Sequence, residues 1–469
     1  MQNPLVNHRS QTHIADHAVV IGASVAGLLA ARVLADYFQR VTVLERDTLP
    51  DQPELRSGVP QAHHLHVLLR RGQQSLNQFF PHFEEALDAA GVPTMNWLDE
   101  ARVLGVSGWL SQTNLGFSTR SCGRALLEWV IRQQLATYPN ITFQDNSQID
   151  GLLADESKSR ITGLQIRYRR GAGESAGQKD TLNADFVVDA SGRGSHTPEW
   201  LEALGFGKPE ETTVNSFLGY ASRIYKTLSQ PVDWKAMNIP ARAPEGTRGG
   251  VLSVIENNRW MLTLFGYVRD YPPTEEAGFV EFAQSLPTPL IYEAIKDGEP
   301  ETEIFGYQRT ANCAHHYERM ARFPEHFAVM GDAACCFNPV YGQGMTISAL
   351  GAETLDTCLR SASDLEGLGK RFQQQLAKSN TLPWLLATGA DLRYSATEGK
   401  RPPRTSQLAQ TYLSHLQDIM PENIEAAEAF VRVMNLMERP TTLFRPSLFV
   451  PVVKHMLLGN NKATTTSDS

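Results

Sequence analysis

The 469-residue sequence lacks any excess of positive charge and has no long basic run. Its 43 Lys and Arg residues are outnumbered by 51 Asp and Glu residues, and the formal net charge is −8 at pH 7. Proteins that bind nucleic acids use clustered basic side chains to contact the phosphates. The charge balance therefore argues against a nucleic-acid partner.

Cysteine is also scarce, and the sequence contains no metal-binding motif such as HExxH or CxxC. The five cysteines show neither zinc-ligand spacing nor a disulfide framework, and they are Cys122, Cys313, Cys335, Cys336 and Cys358. An odd number of cysteines in a long chain favours reduced thiols in a cytoplasmic protein. We expect no metal centre.

Long uninterrupted apolar runs are missing as well. Residues 1–17 are polar and lack a signal-peptide core. The apolar stretch Ala18–Ala35 contains Arg32 and a glycine motif, which argue against a membrane span. Phe444–Leu458 is apolar and predicts either a helix on the protein's own core or a peripheral contact with a membrane surface. We expect a cytoplasmic protein without an integral membrane segment.

What the sequence does contain is a nucleotide-binding fingerprint near its start. The run Ala18–Ile21 predicts a buried parallel strand, and Leu28–Tyr37 predicts a helix. Gly22 permits the tight turn between them, and Ser24 stands where a glycine usually lets the backbone approach a pyrophosphate. The helix N-terminus supplies free N–H groups for phosphates. The predicted contacts in this turn are Gly22, Ser24, Val25, Ala26 and Gly27, the last for close helix–strand packing.

The second strand of this unit, Val41–Leu44, ends in Glu45, which is followed by Arg46. A carboxylate about 20 residues past the glycines is placed to bind a ribose hydroxyl in dinucleotide-binding folds. Strand, glycines, helix, strand and acid occur in the expected order. The sequence therefore predicts a dinucleotide site with Glu45 and Arg46 at its ribose end.

A second glycine motif follows the predicted strand Phe327–Met330. Gly331-Asp332 places an acid at the carboxyl edge of a parallel sheet, where ligands bind in such folds. An acid there suits a polyol hydroxyl such as the ribityl chain of FAD. Pro339 and the stretch Gly342–Met345 then begin a helix whose N–H groups face developing negative charge. The predicted contacts are Gly331, Asp332, Pro339, Gly342, Gly344 and Met345.

With these two motifs, the chain resembles class A flavoprotein monooxygenases, the family of aromatic hydroxylases and squalene epoxidase. The resemblance implies that the first motif binds the ADP part of FAD and that Asp332 binds the ribityl chain. It also implies a middle motif, for which Asp189–Ser195 is the counterpart, with Ser191 at the usual aspartate position. An arginine near the FAD phosphates is expected on the helix Cys122–Leu135, with Arg124 as the best match and Arg120 as its rival.

A narrower pattern is similar to bacterial polyether epoxidases and related natural-product monooxygenases. It comprises Pro60-Gln61 with His64 and His66, Gly306-Tyr307, Thr310–Asn312 and Phe337–Met345. His64 and His66 alternate along a predicted strand, so both side chains would face one side. We expect His64, His66 and Tyr341 as catalytic candidates, against the alternatives of structural histidines and a tyrosine in the core.

The predicted fold class is α/β. It consists of a Rossmann-like FAD-binding domain of the glutathione-reductase type, an antiparallel-sheet substrate domain and a C-terminal helical region. The FAD-binding domain is expected in three parts, residues 1–80, 102–212 and 305–365. The substrate domain is expected at residues 213–304 and the helical region at 366–469, with a disordered tail from Thr464. Candidates for the substrate wall are Phe217, Leu218, Trp260, Leu262, Leu264 and Phe265.

The resemblance implies an FAD-dependent monooxygenase. Such an enzyme takes one oxygen atom from O2 through a flavin C4a-hydroperoxide and inserts it into a hydrophobic polyketide, isoprenoid or aromatic substrate by epoxidation or hydroxylation. NAD(P)H or a separate flavin reductase would supply electrons, since no second nucleotide fingerprint is evident. Alternatives on the same fold are isoprenoid-chain reductases and a non-redox cyclase that keeps FAD as a structural element. Flavin halogenases carry a Trp-x-Trp-x-Ile-Pro signature, and this sequence has no Trp-x-Trp.

Overall fold

The computed structural model describes residues 13–168, 177–401 and 404–464, with side chains left out of the description at 404–407 and 459–464. The first twelve residues and the last five, 465–469, lie outside the described residues. The predicted tail Thr464–Ser469 falls in the latter range except for Thr464, which ends the last helix.

The strands and helices of the described residues are numbered in chain order. The strands are β1 (Ala15–Ile21), β2 (Phe38–Leu44), β3 (Thr94–Asn96), β4 (Ala101–Val103), β5 (Ser118–Arg120), β6 (Ile141–Gln144), β7 (Ser147–Ala154), β8 (Ile161–Tyr168), β9 (Lys179–Asn183), β10 (Phe186–Asp189), β11 (Glu211–Val214), β12 (Gly219–Tyr225), β13 (Ala236–Ile239), β14 (Arg248–Ile255), β15 (Arg259–Gly266), β16 (Phe305–Tyr307), β17 (Asn312–His315), β18 (Phe327–Val329) and β19 (Cys335–Cys336). The helices are α1 (Val25–Leu34), α2 (Arg70–Phe79), α3 (Phe83–Ala89), α4 (Arg124–Leu135), α5 (Thr197–Leu204), α6 (Glu276–Gln284), α7 (Leu290–Ile295), α8 (Gly344–Arg360), α9 (Leu368–Asp391), α10 (Arg404–Ile419), α11 (Ile424–Met434) and α12 (Pro446–Thr464).

A five-stranded parallel sheet in the order β18-β10-β1-β2-β6 forms the centre of the α/β unit. Its middle strand β1 is an apolar run whose residues from Ala18 to Val20 are fully buried, as expected for a strand covered on both faces. Ile21 pairs with Leu44 on one side and Asp189 on the other. The carboxyl ends of the three strands therefore meet at one edge, where such sheets bind ligands.

An antiparallel sheet of three strands, β7, β8 and β9, leaves the parallel sheet after β6 and returns to it at β10. The strand predicted at Ile161–Tyr168 coincides with β8. This three-stranded sheet belongs to the FAD-binding unit. It does not cover the edge of the parallel sheet that carries the glycine motifs.

The six-stranded sheet has the order β16-β12-β15-β14-β13-β4 and is antiparallel except for the pair β13–β4. The hairpin predicted at Asn257-Asn258 joins β14 to β15, and both asparagines have positive φ. Two predicted domain boundaries need correction, because β4 and β16 pair with strands of this sheet. Residues 102–103 and 305–307 therefore belong with the substrate unit.

The two faces of this sheet differ in what covers them. Leu262 and Leu264 on β15 pack against α6 and α7, together with Trp260. Thr263 and Phe265 alternate with them and face a large cavity. The predicted cavity wall is therefore wrong for Trp260, Leu262 and Leu264, and also for Phe217 and Leu218, which do not line the cavity. Of that group, Phe265 does line it.

The C-terminal helices form their own apolar cluster with the segment that runs from β3 to β5. Tyr412, Leu416, Leu448 and Val452 of α10 and α12 are buried in it. No helix within the described ranges has both the length and the apolar character needed to cross a membrane. On α12, Phe449 and Val450 are partly solvent-exposed.

Candidate functional site

A cavity of about 1370 Å³ lies at the carboxyl edge of the parallel sheet and extends beneath the six-stranded sheet. Its inner end is formed by the two glycine motifs and its outer end by α10 and α11. The volume exceeds the range of about 300–1,000 Å³ that is usual for a single small ligand. It therefore has room for a large cofactor together with a second molecule.

The turn between β1 and α1 requires glycine at two positions. Gly22 has φ of +99°, and a Cβ there would lie 2.7 Å from the carbonyl oxygen of Ala190. A Cβ at Gly27 would lie 1.8 Å from the carbonyl oxygen of Gly22, so this position brings the helix onto the strand. The Ser24 side chain does not cap α1. The first-turn N–H groups at Val25 and Ala26 are thus left for an anion in the cavity.

Glu45 is held beside this turn by two contacts. Its Oε2 accepts a hydrogen bond of 2.8 Å from the Ala23 N–H and lies 3.0 Å from Nη1 of Arg56. Arg56 is 9 % exposed and pairs on its other side with Glu128 of α4. The sequence analysis missed Arg56, because its partners lie on β2 and α4 and nothing local marks it. The arginine fixes the Glu45 carboxylate at the rim of the cavity.

Arg124, at the start of α4, also contacts the turn between β1 and α1. Its guanidinium donates to Ser24 Oγ over 2.7 Å, and Ser24 Oγ donates to Glu128 over 2.8 Å. The rival Arg120 is committed elsewhere, because it pairs with Glu84 and Asp88 at 2.7 and 2.6 Å. Arg124, unlike Arg120, thus lies at the α1 N-terminus, where Ser24 and Glu128 hold its guanidinium.

Asp332 lies on the opposite side of the cavity floor, at the second motif. One third of its side chain is exposed, and that part faces the enclosed cavity. Burial raises the pKa of its carboxyl group, and the guanidinium of Arg193, 3.6 Å away, opposes that shift. Arg193 also donates to the carbonyl oxygens of Ala311 and Phe337. This arginine, also missed from the sequence, joins the middle motif to the second one.

Asp189 and Gly331 do not line the cavity. The Asp189 carboxylate is fully buried and accepts hydrogen bonds from the side chains of Ser195 and Thr197 and from the Ser191 N–H. Its side chain is therefore used to shape the loop, and the prediction of a direct cofactor contact needs correction. Gly331 packs against α1, where a Cβ would lie 2.6 Å from Ala26 Cβ. Gly27 likewise serves packing, as predicted.

His64 and His66 both border the cavity, but the strand predicted for them is absent, since residues 64–69 form no strand or helix. His66 Nδ1 lies 2.9 Å from the His64 carbonyl oxygen, which can only accept. In the neutral ring, His66 Nε2 is therefore a hydrogen-bond acceptor. Burial, followed by the charge of Arg124, lowers the His66 pKa to about 4, so that the ring is neutral near pH 7.

His64 is 6 % exposed, and its Nδ1 lies 2.7 Å from Ser222 Oγ, which in turn lies 2.6 Å from Thr263 Oγ1. Its other nitrogen, Nε2, is buried and has no hydrogen-bond partner in the protein. An unpaired buried polar atom is costly unless a ligand satisfies it. His64 Nε2 is therefore a candidate contact for a molecule in the cavity.

Tyr341 belongs to a buried polar network behind the cavity wall. Its hydroxyl donates to Asp391 over 2.7 Å, and the same carboxylate accepts from the side-chain amides of Asn312 and Asn338. Burial raises the pKa values of both Tyr341 and Asp391, and the three donors oppose the shift at Asp391. The network anchors the loop from Asn338 to Gly342 and positions Tyr341 against the cavity.

The structure thus brings residues from six separate stretches of the sequence to one cavity. The predicted residues that line it are Gly22, Ser24, Val25, Ala26, Glu45, Arg46, His64, His66, Arg124, Ser191, Asp332, Pro339, Tyr341, Gly342, Gly344 and Met345. The lining includes the N-termini of α1 and α8, the carboxylate of Glu45 beside the first motif and the carboxylate of Asp332 at the second motif. This donor set fits an extended dinucleotide such as FAD.

Comparisons with known proteins agree with this geometry. The family described as "FAD binding domain" matches residues 16–370. The protein Rv3254 of Mycobacterium tuberculosis is 30% identical over 429 residues, which cover 90% of each chain. The flavin-dependent halogenase chlA of Dictyostelium discoideum is 26% identical over 262 residues, or 50% of this chain and 40% of its own.

Among solved structures, p-nitrophenol 4-monooxygenase PnpA from Pseudomonas putida superimposes with a TM-score of 0.62 at 15% identity, over 91% of this chain and 100% of its own. At that identity the likeness concerns the fold. The family match covers most of the chain, including all three motifs at the cavity. The chain therefore belongs to the FAD binding domain family, whose structural neighbours are flavin-dependent monooxygenases and halogenases.

Proposed function

We propose that the chain is an FAD-dependent monooxygenase that inserts one oxygen atom from O2 into a hydrophobic natural product by epoxidation or hydroxylation. The observation that carries this proposal is the continuity of the cavity, which joins the FAD motifs to an apolar chamber beneath the six-stranded sheet. Electron balance requires a two-electron reductant, for which we propose NAD(P)H, used directly or through a separate flavin reductase. Substrate, O2, NAD(P)H and a proton then give oxygenated substrate, water and NAD(P)⁺.

FAD, once reduced, supplies the activation of O2. The residues of this chain bind and orient the reactants. Glu45 and Arg124 are assigned to the ADP end, and Asp332 to the ribityl chain. The N-terminus of α8 at Gly344 and Met345 is assigned to the flavin edge, where the helix dipole favours negative charge. His64 Nε2 and the Tyr341 side chain are assigned to the reacting end, where they orient the substrate or hold a proton.

The chamber favours a lipophilic substrate. Phe265, Tyr267 and Val251 line it from the sheet, and Met420, Phe430 and Met434 line it from the C-terminal helices. Apolar walls with a few polar groups are typical of sites for apolar ligands. We therefore assign it a hydrophobic polyketide, isoprenoid or aromatic substrate.

An absorbance spectrum of the purified protein tests the proposal first. We expect oxidised flavin bands near ~370 and ~450 nm, bleaching by anaerobic NADPH and recovery in air. Bound flavin that only a partner reductase bleaches would assign reduction to a second protein. A chain that binds no FAD and cannot be reconstituted with it would refute the proposal.

The variant Asp332→Asn tests the role of the second motif while preserving side-chain shape. Removing the acceptor charge opposite the ribityl chain should weaken FAD binding about 10- to 100-fold, the range usual for a lost charged hydrogen bond. Asp233→Asn, at a surface pair with Arg102, is the matched control and should retain full flavin occupancy. Equal flavin content in both variants would contradict the assignment of Asp332.

Halogenation is the second candidate, favoured by the similarity to the halogenase chlA. The absence of a Trp-x-Trp signature in this chain speaks against it. Product formation that depends on added chloride or bromide would favour halogenation. Turnover without O2 consumption would favour an isoprenoid-chain reductase, and conversion without any reductant would favour the non-redox cyclase.

A further inference from the structure

We propose that His415, Asp418 and His455 form a binding site for a divalent first-row transition ion, Zn²⁺ above all. His415 and Asp418 lie three residues apart on α10, and His455 approaches them from α12. One ligand atom from each residue lies within 4.8 Å of the other two. Two imidazoles and a carboxylate form a donor set that suits zinc.

Two of the three ligand-to-ligand distances match those of a tetrahedral site. His415 Nδ1 lies 3.3 Å from His455 Nδ1 and 3.3 Å from Asp418 Oδ2. Zinc binds nitrogen and oxygen at about 2.0–2.1 Å, which places two ligand atoms of a tetrahedron about 3.3–3.4 Å apart. Both measured edges agree with that value before any rearrangement of the side chains.

Hydrogen bonding alone explains the cluster poorly. Both contacts are longer than the usual hydrogen-bond range of about 2.7–3.2 Å. His415 Nδ1 has a single in-plane position, either a proton or a lone pair, yet it faces two partners at equal distance. A cation between the three groups would use the lone pairs of both rings and the negative charge of the carboxylate.

The helix packing holds the ligands in position. One turn before His415, Tyr412 stacks on Phe444 and donates to the Leu443 carbonyl oxygen. Leu416, adjacent to His415, and Val452, three residues before His455, are fully buried between α10 and α12. The side chains of His415 and Asp418 are 30% and 22% exposed. The site is therefore reachable from solvent and has room for a water molecule as fourth ligand.

The site lies next to the cavity without belonging to it. Ser414 and Gln417 of α10 line the cavity, whereas His415 and Asp418 do not. A bound ion would therefore fasten α12 to the far side of the helix that forms the outer wall. We assign it a structural role at that wall.

A second candidate group among the described residues, Glu211, Cys313 and His315, fits a metal less well. His315 contacts Cys313 through Nε2 at 3.8 Å and Glu211 through Nδ1 at 3.7 Å. The two nitrogens of one ring point in different directions, so these contacts do not converge on one ion. Cys313 also stands directly opposite Cys336 in the strand pair β17–β19. This group serves as the rival site in the test.

The test is calorimetric titration of Zn²⁺ into untagged, metal-free, full-length protein. We expect one site, weakened about 100-fold or more by His455→Ala and by the shape-preserving Asp418→Asn. Two controls should bind as the wild type does: His82→Ala, at a surface His–Glu pair with the same three-residue spacing, and Cys313→Ser, at the rival site. Absence of Zn²⁺ binding, equal binding by Asp418→Asn, or loss of binding in Cys313→Ser would each overturn the proposal.

Co²⁺ substitution supplies a second readout that does not depend on folding stability. Nitrogen and oxygen ligands in a tetrahedron should give visible d–d absorption without thiolate-to-cobalt charge transfer. A charge-transfer band would assign the ion to a cysteine and refute the site on α10 and α12.

Discussion

At the residue scale, Gly22 fixes how closely the nucleotide turn approaches β10. Its φ is positive, and a Cβ at this position would lie only 2.7 Å from the Ala190 oxygen, which leaves no space for a side chain. We expect Gly22→Ala to purify with little or no FAD, and the bulkier Gly22→Val to have the same defect more strongly. Flavin absorbance per protein is the measurement. Gly151→Ala on β7 meets only the flexible Gln165 side chain and should keep its flavin.

His64 gives the folded protein a defined sensitivity to acid. Burial, followed by the charges of His66 and His63, lowers its pKa from 6.5 to about 3. Between these values the unfolded chain binds the proton and the folded chain does not. The free energy of unfolding is therefore unaffected by the protonation of His64 above pH 6.5. Below that pH it falls by about 1.4 kcal/mol per pH unit, until the pH reaches the folded-state pKa of about 3.

Urea denaturation at pH 7 and pH 5 measures this effect. His64→Gln does not titrate, so its free energy of unfolding should fall less between the two pH values than that of the wild type. His82→Gln, at a side chain 73% exposed, should behave as the wild type does. An equal fall in wild type and His64→Gln would contradict the buried, neutral state of His64.

At the element scale, the loop after β2 is tied to β2 and α4 through Arg56. Arg56→Ala would leave Glu45 and Glu128 buried without this partner, which should cost about 3–5 kcal/mol. Arg102→Ala breaks an exposed pair and should cost about 0–1 kcal/mol. Chemical denaturation of both variants measures the difference. Similar losses would mean that Arg56 is not the connection between these elements.

The elements that the sequence predicted well carry a strong local pattern. The turn between β1 and α1, β8 and the hairpin at Asn257-Asn258 follow from glycines, alternating apolar residues and asparagines close together in the chain. His64 and His66 alternate as a strand would, yet their segment is held by side chains. Leu65 N–H donates to Thr263 Oγ1, and the His64 ring bonds to Ser222. Local periodicity cannot predict hydrogen-bond partners that lie 158 and 198 residues away in the sequence.

The inability of local sequence patterns to reveal distant contacts also explains the incorrect predictions at the site. The apolar residues of β15 were all plausible cavity residues, but only one face of the strand meets the cavity, and the sequence does not say which face α6 and α7 cover. Arg56 has no local signature, and Arg193 lies within the middle motif but finds its carboxylate partner, Asp332, on another element. Asp189 has the right position in its motif, but its side chain turns into the loop.

At the scale of the whole molecule, the FAD site joins segments that are far apart in sequence, from Gly22 to Met345. A ligand that binds only the folded chain adds stability of about 2.7 kcal/mol at 100 times its dissociation constant. We therefore expect removal of FAD to lower the Tm of the wild type and readdition to restore it. Differential scanning calorimetry measures both steps. Gly22→Ala should show no gain on FAD addition, and a gain equal to that of the wild type would contradict the site.

The outer wall of the cavity has an evolutionary consequence. Ser414, Gln417, Phe430 and Met434 all lie beyond residue 370, where the match to the family ends. This part of the chamber thus lies outside the stretch that matches the family, whereas Val251, Phe265 and Tyr267 lie within that stretch. Under the function proposed above, changes in α10 and α11 would alter the substrate preference without changing the cofactor motifs. A chimera that receives these two helices from a relative would exchange substrate preference and retain its flavin.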